Sequence, residues 1–90
     1  MMALLFACPA FAYKGEHLAP HAKIGVSRAR AVALKAHPGA ITDEEMEREA
    51  GGTGLRYSFD IRSKGSIQEV GVDARTGRVL ENAPEGKNPD

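Results

Sequence analysis

The stretch LRYSFDIR, residues 55–62, alternates without a break. Leu55, Tyr57, Phe59 and Ile61 stand against Arg56, Ser58, Asp60 and Arg62. Successive side chains of a strand point to opposite faces, so a period of two predicts a strand with one face buried and the other wetted. SKGS follows and supplies a two-residue turn at Lys64 and Gly65. With Arg62 and Ser63 folded back on Ser66 and Ile67, Phe59 lies opposite Val70 and Tyr57 opposite Val72, so apolar partners coincide on one face. A register slipped by one would set those valines against charged positions.

VDARTGRVLE, residues 72–81, puts an acid, a threonine, a glycine and two arginines between that second strand and a further apolar pair, Val79 and Leu80. A phosphate-gripping loop would need several glycines leading into a helix N-terminus, and no helix follows. The segment is therefore read as a strand reversal. Asp73 accepts backbone N–H bonds from the residues after it, Thr76 adds local bonding, and Gly77 supplies the positive φ that closes the turn.

Upstream, Ser27 is placed to cap a helix, with Val26 before it, and RARAVALKAH continues without Gly or Pro. Ala29, Val32, Ala33 and Ala36 fall on one stripe, flanked by Arg28, Arg30 and Lys35, and these small side chains allow a sheet to approach closely. Leu34 lies off the stripe. Pro38 and Gly39 end the helix, with His37 beside its C-terminal dipole. AITDEEMEREAGGTG reads two ways. Thr42 with Glu45 imitates a capping box and would open a short acidic helix. With period two, Glu44, Met46 and Arg48 share one face and Glu45, Glu47 and Glu49 the other, as on an edge strand; its polarity suits an edge, so the strand is preferred.

The termini carry less pattern. An apolar run from Met2 to Ala7 and small residues around Ala10–Ala12 fit an export signal cut after Ala12, without the usual basic start. Cys8, the only cysteine, permits no internal disulfide and offers lipidation as the lesser route. The run is far short of the ~20 residues that span a bilayer. Residues 13–25 are expected to form a flexible leader, since Gly15, Pro20 and Gly25 interrupt any period. His17 and His21 stand four apart, but Pro20 between them argues against the helix that would make this a metal-binding spacing. The tail from residue 83 to 90 is polar and should fray.

Ninety residues make one domain and leave little room for a catalytic cleft. Lys plus Arg and Asp plus Glu are 12 each, so net charge supplies no field for nucleic acid or an anionic membrane. No Trp, two Tyr and three Phe leave few platforms for stacking bases. Ser27, His37 and Asp43 would sit on a helix end and its exit loop, with no second element to orient a base, so no catalytic residues are assigned. No cofactor or metal ligand set is assigned either.

Taken in order, VSRARAVALKAHPGAI, GLRYSFDI and EVGVDARTGRVLE resemble a PepSY domain, a module of secreted metallopeptidase propeptides and of small bacterial envelope proteins. The resemblance runs over roughly residues 25–82. The chain departs from it in carrying Arg28 and Arg30 where many members are acidic, and in a helix face made mostly of alanine. The resemblance implies a helix on an antiparallel sheet, a role in restraining peptidases or binding envelope proteins, and no catalytic residues.

The expected protein is an α+β module, one N-terminal helix packed on a three- to four-stranded antiparallel sheet over residues 26–82, located in the periplasm or secreted. It is expected to bind a protein partner through the sheet. One route is strand addition at the segment holding Glu44, Met46 and Arg48; the other is docking of the row Arg56, Ser58, Asp60 and Arg62. The leading reading is an inhibitor or pro-domain-like regulator of a secreted peptidase. The alternative is an envelope sensor or carrier of a small ligand or metal ion, drawing on His17 and His21.

Overall fold

The computed structural model describes residues 13–85. Export processing after Ala12, lipidation of Cys8 and the end of the tail lie outside the described residues. A 3-10 helix, η1 (Glu16–His21), precedes one α-helix, α1 (Val26–Ala36). Four strands follow: β1 (Ala40–Arg48), β2 (Leu55–Ser63), β3 (Ser66–Asp73) and β4 (Val79–Pro84). The strands form one antiparallel sheet in sequence order. This is the α+β architecture expected from the alternating pattern.

The hairpin between β2 and β3 has the expected register, Phe59 opposite Val70 and Tyr57 opposite Val72. Lys64 and Gly65 both take positive φ, 53° and 82°. That combination twists the turn in the same sense as the strands it joins. Segment Ala40–Arg48 is a strand, as preferred, paired with β2 through Glu44–Phe59 and Met46–Tyr57 and broken by a bulge at Thr42. The bulge lets Ile41 and Glu44 both face the helix side despite their odd spacing.

Several expected boundaries shift. The helix starts two residues earlier, with extended Gly25 at its N-cap and no side-chain cap, so Ser27 lies inside the first turn. It stops at Ala36 because the residue before a proline is driven out of helical space, and His37 is extended at φ −149°. β4 runs to Pro84, two residues into the stretch read as tail. The cause is its position at the sheet edge, where Pro84 sits opposite Gln68 and needs no N–H donor. Residues 13–25, expected to lack regular structure, hold η1. Pro20 does not prevent it, because a single stretch of 3-10 bonding can accommodate a residue without an N–H.

One side of the sheet carries the core: Met46, Leu55, Tyr57, Phe59, Ile61, Val70 and Val72, closed by Ala29, Ala33 and Ala74. Ala29 and Ala33 are fully buried and let the helix backbone settle over β2, β3 and β4. The volume of the core therefore comes from the sheet. Tyr57 and Phe59 stack with ring centroids 6.3 Å apart. The alanine helix does not reach β1, whose inner side is covered by the leader instead, with Tyr13, Leu18, Ala19 and Ile24 packed on the core. Tyr57 fastens that cover by donating its hydroxyl to Ile24 O at 2.8 Å. Burial, then the neighbouring Tyr13, pushes its pKa up to about 12, so it remains a donor.

Candidate functional site: the edge of β1 and the open sheet face

The expected binding residues divide into three environments. Met46 is 2% exposed and belongs to the core, so it cannot touch a partner; on an edge strand roofed by the leader, its inward position buries it. Arg56 and Ser58 are each 7% exposed, which corrects the expectation of an exposed row. Their neighbours on the open face cover them. Arg56 lies over Gly71, which has no side chain to obstruct it, and reaches Glu81 Oε1 at 3.4 Å and Ala50 O at 3.1 Å. Ser58 donates to Glu47 Oε2 at 2.9 Å. Arg48 and Arg62 are exposed, while Glu44 and Asp60 are half-buried.

Glu44 is held on the helix side by a two-pronged ion pair, Arg30 Nε to Oε1 at 2.8 Å and Arg30 NH2 to Oε2 at 2.9 Å. The pair spans the gap that the alanine helix leaves above β1. A groove of about 530 Å³ opens there, lined by Tyr13, Arg30, Ile41, Asp43, Glu44 and Glu45 among others. The leader meets β1 at the end of this groove. Met46 N–H donates to Lys14 O at 2.8 Å, and Lys14 bridges Glu45 in parallel. Sequence reasoning missed this pairing, because a single bridge leaves no period; the positive φ that Gly15 needs, 84°, was the available sign.

A Cβ on Gly15 would land on the Met46 carbonyl. Gly15→Ala is therefore expected to lift the leader from β1, at a cost of about 1–2 kcal/mol for an L-residue forced into this conformation. Amide hydrogen exchange at Met46 should quicken while the β2–β3 hairpin stays protected. Unchanged exchange at Met46 would show that the leader does not hold the edge.

On the open face, register places Asp43 opposite Asp60, Asp60 opposite Glu69 and Gly71 opposite Glu81. Burial, then Glu85 and Asp43, raises the pKa of Asp60. Burial, then Glu81, Asp60, Glu85 and Glu47, raises that of Glu69. Like charges so close disfavour full ionisation. The zero net charge of the chain conceals this separation. Residues 13–39, the helix layer, hold five Lys or Arg and one carboxylate; residues 40–85, the sheet layer, hold six and ten.

Asp73, Thr76 and Gly77 form the expected turn. Asp73 Oδ1 accepts from Arg75 N at 2.8 Å and Thr76 N at 3.0 Å, Gly77 N–H donates to Asp73 O at 2.9 Å, and Gly77 takes φ 80°. Thr76 Oγ1 accepts from Arg78 N at 3.2 Å. Sequence reasoning missed Thr53, whose N–H and hydroxyl donate to the same carboxylate at 2.6 and 2.9 Å, and Arg75, which donates to His21 O and Thr53 O. The turn thus ties the leader and the β1–β2 loop together.

His17 and His21 are exposed on η1, where three residues per turn set positions four apart about 120° away from each other. Among the described residues, no group of three or more His, Cys, Asp or Glu could hold a metal ion, and no helix is long and apolar enough to cross a membrane. Comparison with curated proteins and with solved structures gave no match. The family model for PepSY, described as "Peptidase propeptide and YPEB domain", matches residues 23–82. That span holds α1, the first three strands, most of β4 and the Asp73 turn, so the chain belongs to the PepSY family, which is linked to propeptide and inhibitor-like regulation of peptidases.

Proposed function

We propose that this chain is an exported, non-catalytic binding module that regulates a secreted peptidase, as an inhibitor or as a pro-domain-like partner. The observation that carries the reading is the propeptide-family match from ahead of α1 into β4. Burial of Arg56 and Ser58 favours strand addition at β1 over docking of the outward row of β2, since a covered side chain has little surface left to offer. Signal cleavage after Ala12 belongs to the same reading and would begin the mature chain at Tyr13.

Affinity capture from periplasmic extract, with the purified chain as bait, should recover a peptidase whose activity falls when micromolar chain is added. Recovery of no peptidase, with activity in the extract unchanged, would end the reading. The intact mass of the exported product should match a chain beginning at Tyr13; a lipid-modified mass at Cys8 would replace cleavage after Ala12.

A further inference from the structure

The leader is fastened unequally at its two ends. Residues 21–24 are tied to the β3–β4 turn and to β2: Arg75 Nε donates to His21 O at 3.1 Å, Lys23 N and Ile24 N donate to Ala74 O at 2.9 and 3.1 Å, and the Tyr57 hydroxyl donates to Ile24 O. Between the ends, Leu18 and Ala19 hold η1 on the core beside β1. Ahead of η1, the arm Tyr13–Gly15 meets β1 through the single parallel bridge of Lys14 to Glu45. Gly15, with φ 84°, stands between that bridge and η1. A groove of about 530 Å³ opens along the seam there, lined by Gly15, His17, Leu18, Met46 and Arg48 among others, so the arm is not packed in on this flank. The family match begins at Lys23, so the arm lies outside the unit that defines the family.

That one bridge occupies the middle of a sheet edge. Met46 N–H donates to Lys14 O at 2.8 Å, and a parallel bridge in this register takes the Glu44 carbonyl as well. These are the outward groups that a strand added to β1 would need. An incoming strand and the arm therefore exclude each other. We propose that Tyr13–Gly15 is an autoinhibitory latch, which closes the β1 edge and must swing away on Gly15 before a partner strand can pair there. This rests on the reading of β1 as a strand-addition site and names how that site is regulated.

The swing gives up the bridge and the tilted contact of the Tyr13 ring with Tyr57, whose centroids lie 6.4 Å apart, and leaves the sheet paired. Opening the β2–β3 hairpin would instead take the core with it, so the arm is the part of β1's surroundings that can open alone. A glycine at the pivot crosses between positive and negative φ without a Cβ penalty. Leu18 and Ala19 lie on the anchored side of the pivot, so Met46 stays covered while the backbone beside it is uncovered. A partner strand then binds with an apparent affinity lowered by the fraction of chains whose arm is open.

The test locks the arm. Among the described residues, neither Lys14 nor Glu45 is in an ion pair. Bridged neighbours lie about 5 Å apart, within disulfide range. The full chain carrying K14C/E45C with C8S is compared oxidised and reduced, beside wild type and G15A, with the fold checked by circular dichroism. Hydrogen exchange is read first. In wild type the Met46 amide should exchange through an opening insensitive to low denaturant, while β2–β3 amides exchange only with global unfolding. Oxidation should slow Met46 by about tenfold or more, and G15A should speed it about five- to thirtyfold. Met46 exchange that follows global unfolding in wild type would overturn the latch, as would equal rates in the oxidised and reduced forms or a pair that fails to oxidise. Capture from periplasmic extract is read second, and the reduced chain should hold about tenfold more peptidase than the oxidised one. Equal capture by both forms would overturn the autoinhibition while leaving the regulator reading in place. Recovery of no peptidase by either form removes the regulator reading, and the exchange rates then decide the latch on their own.

Discussion

Asp73→Ala is expected to lower the unfolding free energy by about 3 kcal/mol, which for a domain of this size shifts Tm by more than ~10 °C. Asp73 is fully buried, and its two oxygens accept four hydrogen bonds: from Arg75 N, Thr76 N, Thr53 N and the Thr53 hydroxyl. Alanine leaves those donors facing a void and releases the β1–β2 loop from the β3–β4 turn. Asp73→Asn separates shape from charge. Three of the bonds converge on Oδ1, so the amide oxygen takes that position and the NH2 then confronts the Thr53 N–H, donor against donor. Asparagine should fall between wild type and alanine. A change below about 0.5 kcal/mol for alanine, by denaturant titration, would remove Asp73 from its role as the junction of these two loops.

The same carboxylate sets the acid limit of stability. Burial alone would raise its pKa, but hydrogen bonds from Thr53, Arg75 and Thr76 outweigh it and hold the carboxyl at about 2, against an ordinary 3.8. Since the folded value is the lower one, ionised Asp73 contributes its full stabilisation above pH 3.8. That contribution, about 2 kcal/mol, is lost as pH falls from there toward about 2. Asp60 and Glu69 act with the opposite sign, because their folded values are raised. Acidification through those raised values relieves repulsion and adds stability before Asp73 begins to protonate. The stability profile should rise gently on the acid side of neutrality and then drop below pH 3.8. In Asp73→Asn the drop should shrink and the rise persist.

Much of the fold was legible because it rests on period two. The alternation from Leu55 to Arg62 and the Lys64–Gly65 turn fixed a hairpin whose pairing agrees residue by residue with the structure. The Asp73 turn was legible for a related reason, since a short acid and a glycine at these offsets have few other uses. The leader was illegible because its contacts are not periodic. Tyr13, Leu18 and Ala19 pack on the core from the side that the alanine helix leaves bare, Ile24 lies against the β3–β4 turn, and their spacing follows the shape of the surface they cover. The open face was misread for a different reason. Alternation states which side of the sheet Arg56 and Ser58 occupy, but their burial depends on Gly71, Glu47 and Glu81 from the neighbouring strands. The separation of charge between layers escaped a reading of net charge for the same reason, since it exists only once the chain is folded.

Met46 gives the sharpest separation between a binding strand and a structural one. The polar surroundings DEEMER made it look like a surface anchor on an edge. It is instead packed on Tyr57 across the sheet, with the leader above it, and is 2% exposed. Met46→Ala is therefore expected to cost about 2–5 kcal/mol, the transfer term plus the cavity left behind. Its neighbours set where in that range it falls. The leader's bonds to Tyr57, Ala74 and Arg75 lie at residues 21–24, while near Met46 it is held by the single Lys14 bridge, so there it can sink toward the vacated space more readily than the paired strands can, which favours the lower half. Met46→Leu, nearly equal in volume, should cost less than about 1.5 kcal/mol. Were Met46 a contact residue, alanine would leave stability within about 0.5 kcal/mol and weaken partner binding directly. A stable Met46→Ala protein with impaired partner binding would thus place Met46 at the interface and displace the leader from the inner side of β1.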